Sequence, residues 1–424
     1  MEPSFKIVII NHSFQINYFS RRWELFAEKH PNVDVTLLAP KEYEWYSGKS
    51  YTYNGGIKRG SHSIDKNNYH RRLIDMSQNG WKSVEYKSVF DELKPEIVYL
   101  VGGVFPALIQ ILELRDKYYP KMKVINFNMR GPAQDLKLDV KNCSLPRKIW
   151  RVYSFFRAKR RLSYINKHID SIFCHYPDAV ECFKNEGYNG PIYMQTQVGV
   201  NPEWFHPDEE ARKEIRKKYN IAEDTYLFGS ATRFSSDKGL EDIVNALPQE
   251  GNWKYIMMGT GTEGQVRTLK DLVVSRGLND KVIMPGMIDW YEISKYWNAI
   301  DCAIHVPRTT SQWVETFSLS AIQPQATMKP VIGNTSGSVP YQLGYEEMIV
   351  LEGDIKSLRE KIQWVLDNKD AAAEFGKKMY ERTIRSFSIQ HLNDMFYDTL
   401  IEDVLCGEYD LNKLDMTQYK AKGE

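Results

Sequence analysis

The chain has 424 residues, with 56 Lys or Arg against 55 Asp or Glu and a formal net charge of +1; that length suits two domains of roughly 150–200 residues better than one core. Balanced charge excludes a global field of the kind that draws in nucleic acid, so any charge specificity is local. Five cysteines without C-x-x-C spacing argue against a disulfide framework or a zinc site and favour a reducing cytoplasm, and no apolar run approaches the roughly 18 residues of a membrane span.

From the start of the chain, "FKIVII" reads as a parallel strand buried on both faces, because it is short, apolar and β-branched. A helical segment, "YFSRRWELFAEKH", separates it from the next strand, "VDVTLLAP". "LKPEIVYLVGG", "KVINFNMRGP" and "DSIFCHYP" continue the alternation, which predicts a doubly wound α/β domain. The stretch from about 41 to 85, rich in Tyr, Gly, Asn and Ser, reads as irregular. In "LPRKIWRVYSFFRAKRRLSYINKHI", Arg147, Lys148, Arg151, Arg157, Lys159, Arg160 and Arg161 are interleaved with Ile149, Trp150, Val152, Tyr153, Phe155 and Phe156. Two readings stand for this segment: a basic amphipathic helix lying on an anionic bilayer, or a domain-packing helix with a solvated basic face.

Pro202 and Pro207 interrupt "VGVNPEWFHPDEEARKEIRKKYNI", which is where the hinge is placed. A second strand series follows: "YLFGSATRF", "KYIMMGTGTE", "KVIMPGMI", "CAIHVP", "KPVIGNTSG" and "MIVLEG". The tail "IQHLNDMFYDTLIEDVL" has helical spacing. The predicted domains are therefore 1–205, joined by helices at about 388–412, and 206–387.

Ligands of open α/β sheets sit beyond the carboxyl ends of strands. Arg233 and Lys238 fall at such an end, before the helical stretch "GLEDIVNAL", and two cations beside helical N–H groups suit a phosphate or diphosphate; a solvated basic loop is the plain alternative. Gly259 and Gly261 follow another strand and let backbone approach a ligand, or simply make a turn. Met287 and Ile288 follow a third. Glu315 precedes a helical stretch expected to begin near Phe317, and Gln323 lies eight residues on, about two turns, and so roughly on the same face. A carboxylate at that place is also an ordinary partner of a helix dipole.

Taken in order, Arg233 with Lys238-Gly239, Gly259-x-Gly261, Pro285-Gly286, Trp313-x-Glu315-Thr316-Phe317-Ser318 and Ser336-Gly337 resemble the retaining nucleotide-sugar glycosyltransferases of family 4, across the whole C-terminal half. The resemblance implies a GT-B fold, two Rossmann-like doubly wound domains facing a central cleft, with the donor held mainly by the second. Carried over by position, Arg233 and Lys238 bind the donor diphosphate and Glu315 faces the hexose hydroxyls, the three forming the catalytic set. The amides of Thr316, Phe317, Ser318 and Leu319 meet sugar and phosphate, Gly259 and Gly261 border the donor, and Met287 and Ile288 lie near the base. Gln323 stands where the family has a second, ribose-gripping glutamate; a neutral amide lacks the charge-assisted two-oxygen contact. The first strand lacks the family's glycine-rich loop and offers Asn11 and His12 instead, while Asn128 and Arg130 stand where a histidine is common; these four are acceptor-side candidates without assigned chemistry.

The implied activity is transfer of a hexose from a nucleotide-diphosphate sugar to a glycan or lipid-linked acceptor in cell-surface polysaccharide or glycoconjugate synthesis. No D-x-D motif occurs, so the two cations are expected to stand in for a metal, with no metal site, no cofactor and no nucleic-acid partner. An anionic membrane surface met through 145–168 is the remaining partner, which gives a cytoplasmic protein, peripheral on the inner face of the cell membrane if that helix binds it. Alternatives are a soluble enzyme acting on a small molecule or sugar phosphate, and a catalytically silent nucleotide-sugar binding protein, which Gln323 alone favours. A Rossmann dehydrogenase is disfavoured, because no G-x-G-x-x-G follows the first strand.

Overall fold

Short β-branched runs that cannot face water need helices on both sides, and the chain satisfies this twice. The structure, a computed structural model, describes residues 4–15, 17–41, 64–77, 80–103, 105–129, 138, 144–311 and 313–407. The first sheet contains β1 (Phe5–Ile10), β2 (Val33–Pro40), β3 (Ile64–Lys66), β4 (Tyr69–Ile74), β5 (Ile97–Val101), β6 (Lys123–Phe127), β7 (Ser171–Cys174) and β8 (Ile192–Met194), in the spatial order β3-β4-β2-β1-β5-β6-β7-β8. Every neighbouring pair is parallel except β3 with β4. All five residues of β5 are buried, as a central strand covered on both faces requires.

The second sheet contains β9 (Tyr226–Ala231), β10 (Trp253–Met258), β11 (Val282–Gly286), β12 (Cys302–His305), β13 (Val331–Asn334) and β14 (Ile349–Val350), all parallel, in the order β11-β10-β9-β12-β13-β14. Strand order reverses between β9 and β12 here and between β1 and β5 in the first sheet. At such points successive crossovers leave in opposite directions and open a crevice at the carboxyl ends.

The chain divides into two compact units: Gln197 ends the main part of the first, Val198–Leu392 belong to the second, and the chain re-enters the first at Asn393. Residues 198–205 side with the second unit because Val200 N–H donates to Phe387 O and Ile389 N–H to Val200 O, both at 2.9 Å. In the helix Ile389–Thr399, Phe396 joins the aromatic core of the first unit, its ring centroid 5.3 Å from Trp23 and 5.1 Å from Tyr99.

Two local expectations change. Part of the stretch read as irregular is the β3–β4 hairpin, in which β4 extends the sheet beside β2. Its sequence, "YHRRLI", hides a strand behind charge: Arg71 is buried and its Nη1 donates to Phe14 O at 3.2 Å and Ser20 Oγ at 3.5 Å. The remainder of that stretch from 42 to 63 lies outside the described residues. The second change is at the helix expected near Phe317, which is Leu319–Ala326, with Ser318 extended at φ −117° and ψ 124°.

The basic segment forms a single helix, Leu145–His168, with a proline in its first turn, where a missing N–H costs nothing. Among the described residues, no helix is long and apolar enough to cross a membrane.

Candidate functional site

The loops after β9, β12 and β13 converge at the point where the second sheet reverses. After β9 the chain makes a short 3-10 turn, Ser236–Lys238, and enters the helix Leu240–Ala246 through Gly239. Gly239 has φ +67°, and a Cβ there would lie 1.9 Å from Val306 O. Only glycine lets this loop close against the segment leaving β12. Ser320 Oγ donates to Ala231 O at 2.5 Å and Asn334 Nδ2 to Pro307 O at 2.6 Å, fixing the ends of β9, β12 and β13 to their neighbours.

The segment bearing Glu315 is held from the other side. Ser338 N–H donates to Glu315 O at 2.8 Å, and a Cβ on Gly337 (φ +48°) would lie 2.1 Å from that same oxygen. Ser318 exchanges two 2.9 Å hydrogen bonds with the Gln342 side chain. The Glu315 carboxylate is therefore placed by its backbone. It is a loop residue, so the same-face relation to Gln323 expected from a continuous helix does not hold.

Lys238 and Glu315 come together: Nζ is 3.1 Å from Oε2, in a pair whose side chains are about nine-tenths buried. Lys238 Nζ also lies 3.6 Å from Asp237 Oδ2 and 3.7 Å from the centroid of the Trp313 ring, a cation–π contact that further fixes the ammonium. Arg233, by contrast, is exposed and its guanidinium has no ion-pair partner among the described residues. One cation is built in and the other is available.

Two side chains missed by the sequence reading complete the cluster. His305, at the end of β12, is buried, and its Nε2 lies 3.8 Å from Glu315 Oε2. Burial, helped by the Lys238 charge, lowers its pKa to about 3, so the imidazole is neutral at physiological pH. The available signal was a polar residue closing an otherwise apolar strand. Arg308 is bound through Nε to Asp242 Oδ2 at 2.6 Å and through Nη2 to Asp242 Oδ1; that pairing raises its pKa and leaves the guanidinium committed to structure.

The other expected donor residues are spread around this centre. Gly259 N–H donates to Gly286 O at 2.8 Å, and Thr260 O accepts from Phe234 N–H at 2.8 Å, so the backbone approach near Gly259 and Gly261 is made by neighbouring loops. Met287 is exposed and Ile288 half-buried beyond β11. Thr316, Phe317, Ser318 and Leu319 are half-buried, and Phe317 packs edge-on to Phe387 at 5.5 Å. Gln323 is buried, its Oε1 accepting from Trp297 Nε1 at 3.1 Å.

In the first unit, Asn11, His12 and Asn128 sit just beyond β1 and β6, which flank β5. Asn11 Nδ2 donates to Val101 O and its Oδ1 accepts from Ser13 N–H at 2.6 Å. The His12 ring lies 4.6 Å from Trp81, and burial lowers its pKa to about 4. Asn128 is buried beside Gly103. Arg130 lies outside the described residues.

An exposed guanidinium, an ammonium fixed by two carboxylates and an aromatic ring, and a carboxylate placed by its backbone suit a ligand that joins an anion to hydroxyl groups. Residues 211–382 match the family model described as "Glycosyl transferases group 1". A GDP-mannose-dependent monoacylated alpha-(1-6)-phosphatidylinositol monomannoside mannosyltransferase of Corynebacterium glutamicum is 24% identical over 52% of this chain and 58% of its own length. The O-antigen biosynthesis glycosyltransferase WclY of Escherichia coli is 24% identical over 45% of this chain and 51% of its own. The chain thus spans about half the length of the curated relatives it matches.

Among solved structures, a sucrose-phosphate synthase from Thermosynechococcus elongatus superposes with a TM-score of 0.69 at 16% identity, covering 95% of this chain and 100% of that one. The Anabaena protein HepE, in complex with UDP and glucose, gives 0.64 at 15% identity, covering 93% and 99%. The class these findings define is the GT-B fold, two Rossmann-like α/β units. Within it, residues 211–382, the span that matches the glycosyl transferases group 1 model, lie in the second unit.

Proposed function

We propose that the chain transfers a hexose, with retention and without a metal, from a nucleotide-diphosphate sugar to a glycan or lipid-linked acceptor in cell-surface polysaccharide or glycoconjugate synthesis. The observation that carries this reading is the Lys238–Glu315 pair, 3.1 Å apart at the reversal point of the second sheet and inside the matched segment, with Arg233 unpaired on the same loop as Lys238. Lys238 has three donor hydrogens and uses one on Glu315, while Arg233 has five. Both can therefore meet diphosphate oxygens.

As the glycosidic bond breaks, negative charge builds on the departing diphosphate. Cations fixed beforehand stabilise that charge more in the transition state than in the ground state. In front-face transfer the acceptor hydroxyl approaches from the leaving-group side and gives its proton to the departing phosphate, so no strong protein base is needed. Glu315 accepts from hexose hydroxyls and sets the orientation of the anomeric carbon. Gln323, whose Oε1 accepts from Trp297 Nε1, stands where the family's ribose-gripping carboxylate would be, so the ribose contact is the weaker one of a neutral amide. Support for a sugar nucleotide comes from the GDP-mannose dependence of the mannosyltransferase relatives and the UDP complex of the Anabaena neighbour.

Incubation with UDP-, GDP- and ADP-hexoses, following nucleoside diphosphate release with and without a glycan or polyprenyl-phosphate-linked sugar, tests the reading. Release from one donor, accelerated by an acceptor and giving an α-linked product from an α-linked donor, is expected. Inversion at the anomeric carbon, or indifference to every donor, would overturn it.

A further inference from the structure

A helix docked in a core points its apolar residues inward, and the first half of Leu145–His168 does the opposite. Leu145, Ile149, Tyr153 and Phe156 recur at helical spacing on one face, flanked by Trp150 and Val152. Those of them that are largest, with Trp150, are 61% to 71% exposed. Every residue from Ser144 to Tyr153 is exposed, and the helix is held to its unit by Leu162 and Ile165 near the other end.

The charge on this helix has one sign. Its 24 residues include no Asp or Glu. Arg157, Arg160 and Arg161 make no ion pair with any described residue, and together with Lys82 they line a cavity of about 460 Å³ whose rim includes Tyr164 and one acid, Glu113. An exposed apolar row therefore runs straight into a pocket lined by four cations and one acid.

We propose that this helix docks the first unit on an anionic bilayer, with Leu145, Ile149, Trp150, Tyr153 and Phe156 entering the headgroup boundary and a lipid phosphate entering the pocket of Lys82, Arg157, Arg160 and Arg161. Charge selects this occupant. A second copy would bring an equally basic helix against this one, and the two would repel. A folded acidic partner needs a groove shaped to a ridge of mixed aromatic and aliphatic side chains, whereas a bilayer adapts to any such ridge, and Trp and Tyr favour its polar boundary. The apolar stretch from 145 to 156 is about 18 Å long, enough to lie in the interface plane and too short to span it. This proposal does not depend on the donor chemistry of the second unit.

Vesicle flotation of the full chain tests it, with phosphatidylcholine alone and with phosphatidylcholine containing phosphatidylglycerol. The expected result is flotation only with the anionic lipid. Since each cation near such a surface contributes about fivefold to partitioning, the combined Arg157→Gln, Arg160→Gln and Arg161→Gln variant should lose about a hundredfold. The combined Trp150→Ala, Tyr153→Ala and Phe156→Ala variant should lose at least about tenfold, from the apolar area removed. Five of these six side chains are exposed and Arg161 is half-buried without an ion pair among the described residues, so thermal midpoints should stay unchanged, which separates lost docking from lost folding. Failure of the wild type to float with phosphatidylglycerol, or flotation of both variants like the wild type, would overturn the proposal. So would a helix-dependent dimer in light scattering that competes with vesicle binding. Donor turnover measured on the same preparations keeps the two proposals separable, because either can fail while the other stands.

Discussion

The two units reverse strand order in the same way and fill the reversal point with opposite chemistry. Between β1 and β5, Asn11 links the loops on both sides through its own amide and the neighbouring His12 is held neutral by burial, so polar groups there serve the protein. Between β9 and β12 lie Lys238 with its carboxylates Glu315 and Asp237, neutral His305, and an exposed Arg233 that has no ion-pair partner among the described residues. A shared scaffold thus fixes where a ligand can sit, and the residues on its loops decide whether it is an anion.

The largest expected effect tests that asymmetry in activity. Arg233→Ala and Lys238→Ala should each lower kcat/KM by about 2–4 decades, the range for removing a preorganised charge stabiliser. The fall in Lys238→Ala should be the steeper, since it also leaves Glu315 buried without its cation. Steady-state donor release checks both.

Gly239→Ala comes next: a Cβ 1.9 Å from Val306 O at a left-handed backbone position should cost about 3–5 kcal/mol in chemical denaturation, acting on the second unit.

Acid should separate the units by a smaller margin. Burial holds His12 at about 4 and His175 at about 3 in the first unit, and His305 at about 3 in the second. Below the unfolded value of 6.5 the unfolded chain takes up protons that the folded chain refuses, so stability falls as pH falls through that window. Each histidine contributes up to about 1.4 kcal/mol per pH unit. Between pH 6.5 and 5 the first unit should therefore lose about 2 kcal/mol more than the second, read by segment in hydrogen exchange. Equal losses would mean that the histidines are not the groups responsible.

The smallest effect belongs to Asn11→Ala, which should cost about 1 kcal/mol of stability in the first unit through the loss of its bonds to Val101 O and Ser13 N–H. Nucleoside diphosphate binding should not change.

The strands of both sheets were legible because runs such as "FKIVII" and "YLFGSA" are apolar and β-branched, and burial demands little else of them. The loops carrying Arg233, Lys238 and Glu315 were legible because strand ends are where such sheets bind. What stayed hidden depends on tertiary neighbours. Arg71 disguised β4, because a buried arginine with backbone partners looks like surface in the sequence. The helix start slipped from near Phe317 to Leu319 because Ser318 takes its hydrogen bonds from Gln342, a residue of another element. The stacking of Lys238 on Trp313 and the approach of His305 to Glu315 join segments distant in the chain, and no local pattern announces them. For the helix Leu145–His168, sequence supplied both the basic and the apolar residues, and only exposure could say that the apolar ones are uncovered.

Binding of UDP, GDP and ADP followed by thermal shift, with wild type beside Arg233→Ala and Lys238→Ala, tests the central claim most directly, since a ligand that binds the folded state raises apparent stability by mass action. The account predicts saturable stabilisation of the wild type by at least one nucleoside diphosphate and an apparent Kd at least about tenfold weaker in each variant. Stabilisation that is equal in all three proteins, or absent from the wild type, would contradict it.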